Sequence, residues 1–205
     1  MLAHSANLVT EKALIGIPRK KETAPVLASQ KQIETSCVII DANTSPKLEE
    51  VRVEMANMKV ESRPVELLTS VGSCVAICLH DAMNKCGGLA HIMLPTSNNP
   101  LLEPLPSKFA NTAVPALAKA VREISGNDIR LSAKIAGGAN MFANLGPNSL
   151  DIGGKNVQAV KAALALHKIR LEGEDVGGVS GRRITFNTHS GIAVVKSFRG
   201  ASRIL

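Results

Sequence analysis

Leu67–Pro95 reads LLTSVGSCVAICLHDAMNKCGGLAHIMLP, with two apolar runs around a polar turn. The first run, Cys74 to Leu79, is short and bounded by Gly72 and by His80 and Asp81, so it reads as a strand rather than a buried helical turn. The second run, Leu89 to Leu94, reads the same way. Asp81 to Lys85 is turn-like, and so short a connection makes the two runs antiparallel neighbours in a hairpin. If Ala82 to Lys85 form the loop, Ala76 faces His91 and Cys74 lies on the same face, one diagonal step away. A thiol and an imidazole then share one surface.

That pairing carries chemistry, because the thiolate is the nucleophile and a neighbouring imidazolium lowers the thiol pKa from its usual value of about 8.5. The expectation is a cysteine partly ionised at neutral pH. The same histidine can return its proton to a leaving group, which is the minimal kit for acyl transfer from an amide or ester. Gly72 and Ser73 allow close backbone approach and supply N–H groups as oxyanion donors. Thr69 and Ser70 offer hydroxyls to orient the ring from its other nitrogen. Against this stands the plainer assignment: a Cys in an apolar run is commonly a small buried hydrophobe, and a lone His a structural residue. A helix beginning near Cys74 would activate the thiolate by its dipole instead.

Outside this stretch, the 205 residues suit one domain with a sizeable core. Hydrophobic residues make up 45% and charged residues 20%, an ordinary globular balance. With no Trp, no Tyr and four Phe the core must be aliphatic, and base-stacking platforms for single-stranded nucleic acid are nearly excluded. The net charge of +7 is spread along the chain, with one compact basic cluster at Arg19, Lys20 and Lys21. This diffuse pattern is a weak warrant for nucleic acid and fits an acidic protein substrate equally well, so no nucleic-acid partner is expected.

No apolar stretch approaches the length of a membrane span, and the N-terminus has no apolar leader with a cleavage site, so a cytoplasmic protein without membrane insertion is expected. Cys37, Cys74, Cys78 and Cys86 are expected as thiols; with His91 they match no common zinc spacing, so no metal is expected.

Residues 1–48 have no sustained period and read as a poorly ordered N-terminal extension, with Cys37 to Ile40 an isolated apolar patch. From Val51 the pattern becomes regular: a half-buried strand over Val51 to Met55, continued by Met58 to Val60 after a kink, and then Arg63 and Pro64 break the pattern and lead into the Leu67–Pro95 hairpin. Pro, Asn and Ser mark Thr96 to Lys108 as a loop. A helix follows over Lys108 to Ser125, capped by Asn111 or Thr112 and closed by Gly126. Ile129 to Ile135 reads as a strand ending in a glycine turn, and Asn156 to His167 as a second helix with His167 at its end. Ile169 to Glu174, Arg183 to Asn187 and Ile192 to Lys196 are further strands, with His189 in a solvated turn. Strands in hairpin-like succession with two helices predict an α+β fold.

The wording of several segments is more specific than their pattern. GSCVAICLHD with GGLAHIMLP, KFANTAVPAL at Lys108–Leu117, AKIAGGANMF at Ala133–Phe142, IGGKNV at Ile152–Val157 and EDVGGVSGRRITFNTHSGIAVVK at Glu174–Lys196 together resemble the chemoreceptor glutamine deamidase family, CheD. The motifs occur in the family's order over roughly Val51 to Lys196. The resemblance implies a single-domain α/β sandwich over residues 49–205, with central mixed or antiparallel sheets flanked by helices.

It further implies hydrolysis of glutamine side-chain amides to glutamate and ammonia, on the cytoplasmic helices of methyl-accepting chemoreceptors. Carried onto this chain, the family's nucleophile falls on Cys74 and its base on His91. The third residue, a hydroxyl amino acid a few positions earlier, falls best on Thr69, with Ser70 the alternative. No cofactor is implied. Family members also bind a CheC-type phosphatase of the chemotaxis response regulator, so the other expectation is a non-catalytic receptor-binding or phosphatase-activating adaptor. His80, Phe109, Ala136 and the uncharged residues before Lys155 depart from the usual family wording, and none of them is Thr69, Cys74 or His91.

Overall fold

A computed structural model describes residues 47–126, 130–141 and 151–205, all within one compact unit, Thr44–Leu205. The expected extension over residues 1–48, with its patch at Cys37, lies outside the described residues apart from Lys47 and Leu48. So does Ile129.

The described residues build two five-stranded sheets and two α-helices, the expected α+β sandwich. In chain order the strands are β1 (Glu49–Arg52), β2 (Met58–Glu61), β3 (Val65–Val71), β4 (Val75–Asp81), β5 (Cys86–Ile92), β6 (Ser132–Gly137), β7 (Arg170–Val176), β8 (Arg182–Asn187), β9 (Ala193–Ser197) and β10 (Ser202–Ile204). The helices α1 (Ala110–Ser125) and α2 (Ile152–Leu166) flank β6 in sequence. One sheet runs β1-β3-β8-β9-β10 and the other β2-β5-β4-β6-β7; β1–β3 and β6–β7 are parallel and the other pairs antiparallel.

Alternation along the strands divides the core in two. Val75, Ile77, Leu79, Ala90 and Ile92 face α1 and α2, where they meet Leu117, Val121, Val160 and Leu164. The opposite side chains, Ala76, Cys78 and Leu89, face the other sheet and pack on Leu67, Ile184, Phe186 and Val195. β4 and β5 are therefore buried on both faces, which is why their sequence is a near-continuous apolar run. Both helices pack on the sheet that holds β4, so the flanking is one-sided.

The hairpin follows the expected register: Asp81 pairs with Cys86 across the loop and Ala76 with His91. Asp81 makes that turn by accepting from the Met83 and Asn84 backbone N–H groups, with Asn84 Nδ2 at 2.6 Å from its other oxygen. Lys85 then takes a positive φ of 52°.

Four expectations are revised. Val51 to Met55 and Met58 to Val60 do not continue one strand: β1 and β2 belong to different sheets, and the turn between them, with Ala56 at φ 58°, carries the chain across the sandwich. Arg63 and Pro64 lead into a further strand, β3, not directly into the hairpin. α1 has no side-chain cap; Asn111 instead binds the backbone of Ser97, and Thr112 donates to the Pro106 and Phe109 carbonyls. α2 begins at Ile152, capped by Asp151, whose Oδ1 accepts from Gly154 N at 2.8 Å. Its glycines are packing residues: a Cβ on Gly153 would lie 2.5 Å from the Gly138 carbonyl oxygen. His167 is the C-terminal cap of α2, at the predicted helix end.

Candidate active site

Thr69 and His91 come from different sheets. Thr69 sits on β3 opposite Ile184 and His91 on β5 opposite Ala76, so both point into the space between the sheets. There Thr69 Oγ1 lies 2.8 Å from His91 Nδ1, and both side chains are buried. Ser70 is exposed and opposite Arg183, on the outer face, so the hydroxyl bound to His91 is that of Thr69.

The hydrogen bonds fix the ring's tautomer. Thr69 Oγ1 donates its single proton to the Val53 carbonyl at 2.8 Å. It must then accept from His91, so Nδ1 carries the proton and the lone pair is on Nε2. Nε2 is buried and has no hydrogen-bond partner among the described residues. The backbone of His91 is held by the turn that crosses the sandwich: its N–H donates to Asn57 O and its carbonyl accepts from Ala56 N, both at 3.0 Å.

Cys74 immediately precedes β4 and packs, half-buried, against the inter-sheet core that includes Ala76. It thus shares the inner face with His91, as the hairpin register predicts, and it lies in no helix. The carbonyls around it are all engaged. Gly72 O accepts from Ala139 N at 2.8 Å, Cys74 O from Gly138 N at 2.7 Å, and Ser73 O from Asn156 Nδ2 at 2.9 Å. Glycine is required at the crossing point, since a Cβ on Gly137 would lie 2.3 Å from Cys74 O.

The electrostatics differ from the sequence expectation. Burial pushes the Cys74 thiol above its ordinary range, opposed by its own backbone N–H. Burial also lowers the His91 pKa, opposed by the Glu54 carboxylate. Each effect favours the uncharged form, so the resting pair is a thiol and a neutral imidazole, not a preformed ion pair. No hydrogen bond joins His91 Nε2 to the Cys74 thiol in this structure; a neutral thiol and imidazole react, where they meet, by general-base chemistry in which the thiol is ionised as it attacks.

A cavity of about 160 Å³ opens beside His91, lined by Arg52 to Met55 with Thr69 and Ser70. Met55 is half-exposed at its wall, and Met141, also half-exposed, lies over Gly72. The loop after β5 projects Leu101 and Leu102, 98% and 80% exposed. A wider concavity, about 790 Å³, is elsewhere: it opens beside His80, near the far end of β4, and is lined by none of Thr69, Cys74 and His91. No cluster of metal-ligating side chains is found among the described residues.

Two contributors escape sequence reasoning. Val53 acts only through its carbonyl, which leaves no side-chain signal. Asn156 is a polar residue among the apolar positions of α2, and that mismatch was the available clue.

The family model described as CheD chemotactic sensory transduction matches residues 93–197, beginning just after His91. Similarity to whole proteins extends further. The chain is 39% identical over 147 residues to a probable chemoreceptor glutamine deamidase CheD of Methanococcus maripaludis, covering 72% of this chain and 94% of that protein. It is 42% identical over 160 residues to the protein so named in Syntrophomonas wolfei, covering 76% and 98%. With that of Clostridium kluyveri it shares 43% over 148 residues, covering 71% and 91%.

Proposed function

Because the chain belongs to the CheD family, we propose that it deamidates glutamine side chains of chemoreceptors in chemotactic signalling, with Cys74 as nucleophile, His91 as base and acid, and Thr69 as the residue that orients His91. The observation that carries this reading is the tautomer of His91. Thr69 holds the proton on Nδ1, which leaves the basic Nε2 unpartnered on the face that also bears Cys74.

The chemistry follows from the residue types. His91 Nε2 takes the thiol proton as Cys74 Sγ bonds to the amide carbon, and the carbonyl π pair moves onto oxygen. His91 then delivers that proton to the nitrogen, the C–N bond breaks, ammonia leaves and a thioester remains. Water, deprotonated by His91, attacks the thioester; the C–S bond breaks and the sulfur recovers the proton, releasing glutamate. Each role of His91 needs a ring that cycles between neutral and charged, which the neutral resting state permits. No cofactor enters.

The substrate surface is proposed to be the cytoplasmic helices of methyl-accepting receptors. Met55 at the cavity wall and Met141 over Gly72 offer adaptable apolar side chains suited to the exposed face of a helix. Among the described residues no helix is long and apolar enough to cross a membrane. Action in the cytoplasm and a CheC-type phosphatase partner rest on family resemblance.

The test is ammonia release and intact-mass change on a purified receptor signalling fragment, with wild type, Cys74→Ala and His91→Ala. The expected result is product with wild type alone. Retained binding of the fragment with no product from any variant or wild type would replace this reading with the adaptor.

A further inference from the structure

We propose that Asn156 is a positioning residue for the Cys74 thiol, acting through the peptide unit that joins Ser73 to Cys74; this rests on the reading of Cys74 as nucleophile. Asn156 is on α2, across the sheet from the inter-sheet space, and its residue is fully buried. Its Nδ2 donates to two carbonyls at once, Ser73 O and Met93 O, each at 2.9 Å. Oδ1 is buried and has no partner among the described residues. The two acceptors fix the orientation of the amide, because a flipped side chain would set its oxygen against two carbonyl oxygens.

The location gives this contact its meaning. The ladder between β4 and β5 ends with Val75 paired to Ile92. Ser73 and Met93 lie just beyond, where strand-to-strand hydrogen bonds have stopped and the two chains would otherwise separate. Asn156 extends the ladder with a side chain. One amide thereby ties the residue before Cys74 to the second residue after His91.

The trans peptide carries the effect onward. In a trans unit the C=O and N–H point in opposite directions, so anchoring Ser73 O toward α2 directs the Cys74 N–H away from α2. The flanking carbonyls of Gly72 and Cys74 are anchored by Ala139 and Gly138, so the unit cannot rotate independently. The Cys74 N–H is thus held where it serves the cysteine's own sulfur, the one group that lowers this buried thiol's pKa. A backbone N–H held at a nucleophile is also the standard donor to the oxyanion that forms on attack. An unpaired Oδ1 inside the core is a cost to stability, so packing alone does not account for an asparagine at this position.

The discriminating readout is the pH dependence of Cys74 alkylation by iodoacetamide, followed by fragment-ion mass that separates Cys74 from Cys78 on their shared tryptic peptide, together with kcat and KM for ammonia release from a receptor fragment. Asn156→Ala removes both donors, and Asn156→Ser keeps a single shorter one. Val160→Ala, one turn along α2 and fully buried, loosens the same helix without touching the amide.

The expected result is that N156A moves the alkylation midpoint to higher pH and lowers kcat by about tenfold or more with KM changed less than about threefold, as for loss of a transition-state donor. N156S falls between, and V160A keeps the wild-type profile. Should N156A fail to fold, the comparison of N156S with V160A at matched melting temperature decides. A wild-type profile in folded N156A or N156S, or an equal shift in V160A, overturns the proposal. The two readings fail separately. A shifted thiol profile in a protein that releases no ammonia from any receptor would retain the positioning role and remove the deamidase. Ammonia release with an unshifted profile would do the reverse.

Discussion

The hydroxyl of Thr69 reaches across the sandwich to His91, 2.8 Å from Nδ1, while its own proton is spent on the Val53 carbonyl. Thr69→Val keeps the shape and removes the acceptor, freeing the ring to take the wrong tautomer and orientation. The expected fall in kcat is about ten- to hundredfold, with Thr69→Ser near wild type. Steady-state ammonia release on a receptor fragment measures it; equal rates for T69V and T69S would show that the hydroxyl has no part in turnover.

The described cysteines differ in their access to the thiolate. Cys78 is fully enclosed and its pKa is pushed up to about 12, with burial outweighing the nearby Lys134 charge. Cys74 is half-buried at a strand end. Brief alkylation of the folded protein at mildly alkaline pH is expected to label Cys74 first and leave Cys78 unlabelled, read from the fragment ions of the tryptic peptide that carries both. Addition of urea should bring the Cys78 rate up to that of Cys74.

Burial lowers the pKa of both His91 and His80 from the ordinary 6.5, against partial opposition from Glu54 at His91 and chiefly from the His189 carbonyl at His80. Below the unfolded value the unfolded chain binds protons that the folded chain refuses. Stability is therefore complete above about pH 7 and falls as the pH drops through the folded pKa values, by at most ~1.4 kcal/mol per unit of depression. Urea midpoints at about pH 7.5 and about pH 5.5 test this. His91→Gln should flatten the dependence, and a steeper one in that variant would contradict the assignment.

Gly137 combines a φ of 121° with a Cβ position only 2.3 Å from the Cys74 carbonyl oxygen. Gly137→Ala is expected to cost roughly 2–4 kcal/mol and to displace the nucleophile, so activity falls even below the melting transition. Gly177→Ala is the control, with a φ of 78° and open space around its Cβ position. It should cost about 1 kcal/mol by urea titration and leave ammonia release intact.

The hairpin, its register and the shared face of Cys74 and His91 were legible because they are local: a short Asp81 to Lys85 turn sets the pairing, and alternation sets the faces. The existence of both helices and of β7 to β9 was legible for the same reason, and the wording of the motifs placed the chain among the relatives it matches. β3 was missed because VELLTSV is almost continuously buried and offers no alternation. The first turn of α2 was missed because Gly153 and Gly154 signal a break, when Gly153 is needed for close approach to Gly138 and Ala139.

Tertiary structure decided what depends on distant segments meeting. It put β1 and β2 in opposite sheets, chose Thr69 over Ser70 by which face of β3 meets β5, and brought Asn156 to two strand ends. It also shifts the cysteine and histidine towards their neutral forms. Sequence adjacency suggested an ion pair, but ionisation depends on how much water the whole fold removes, and burial by both sheets favours the neutral forms.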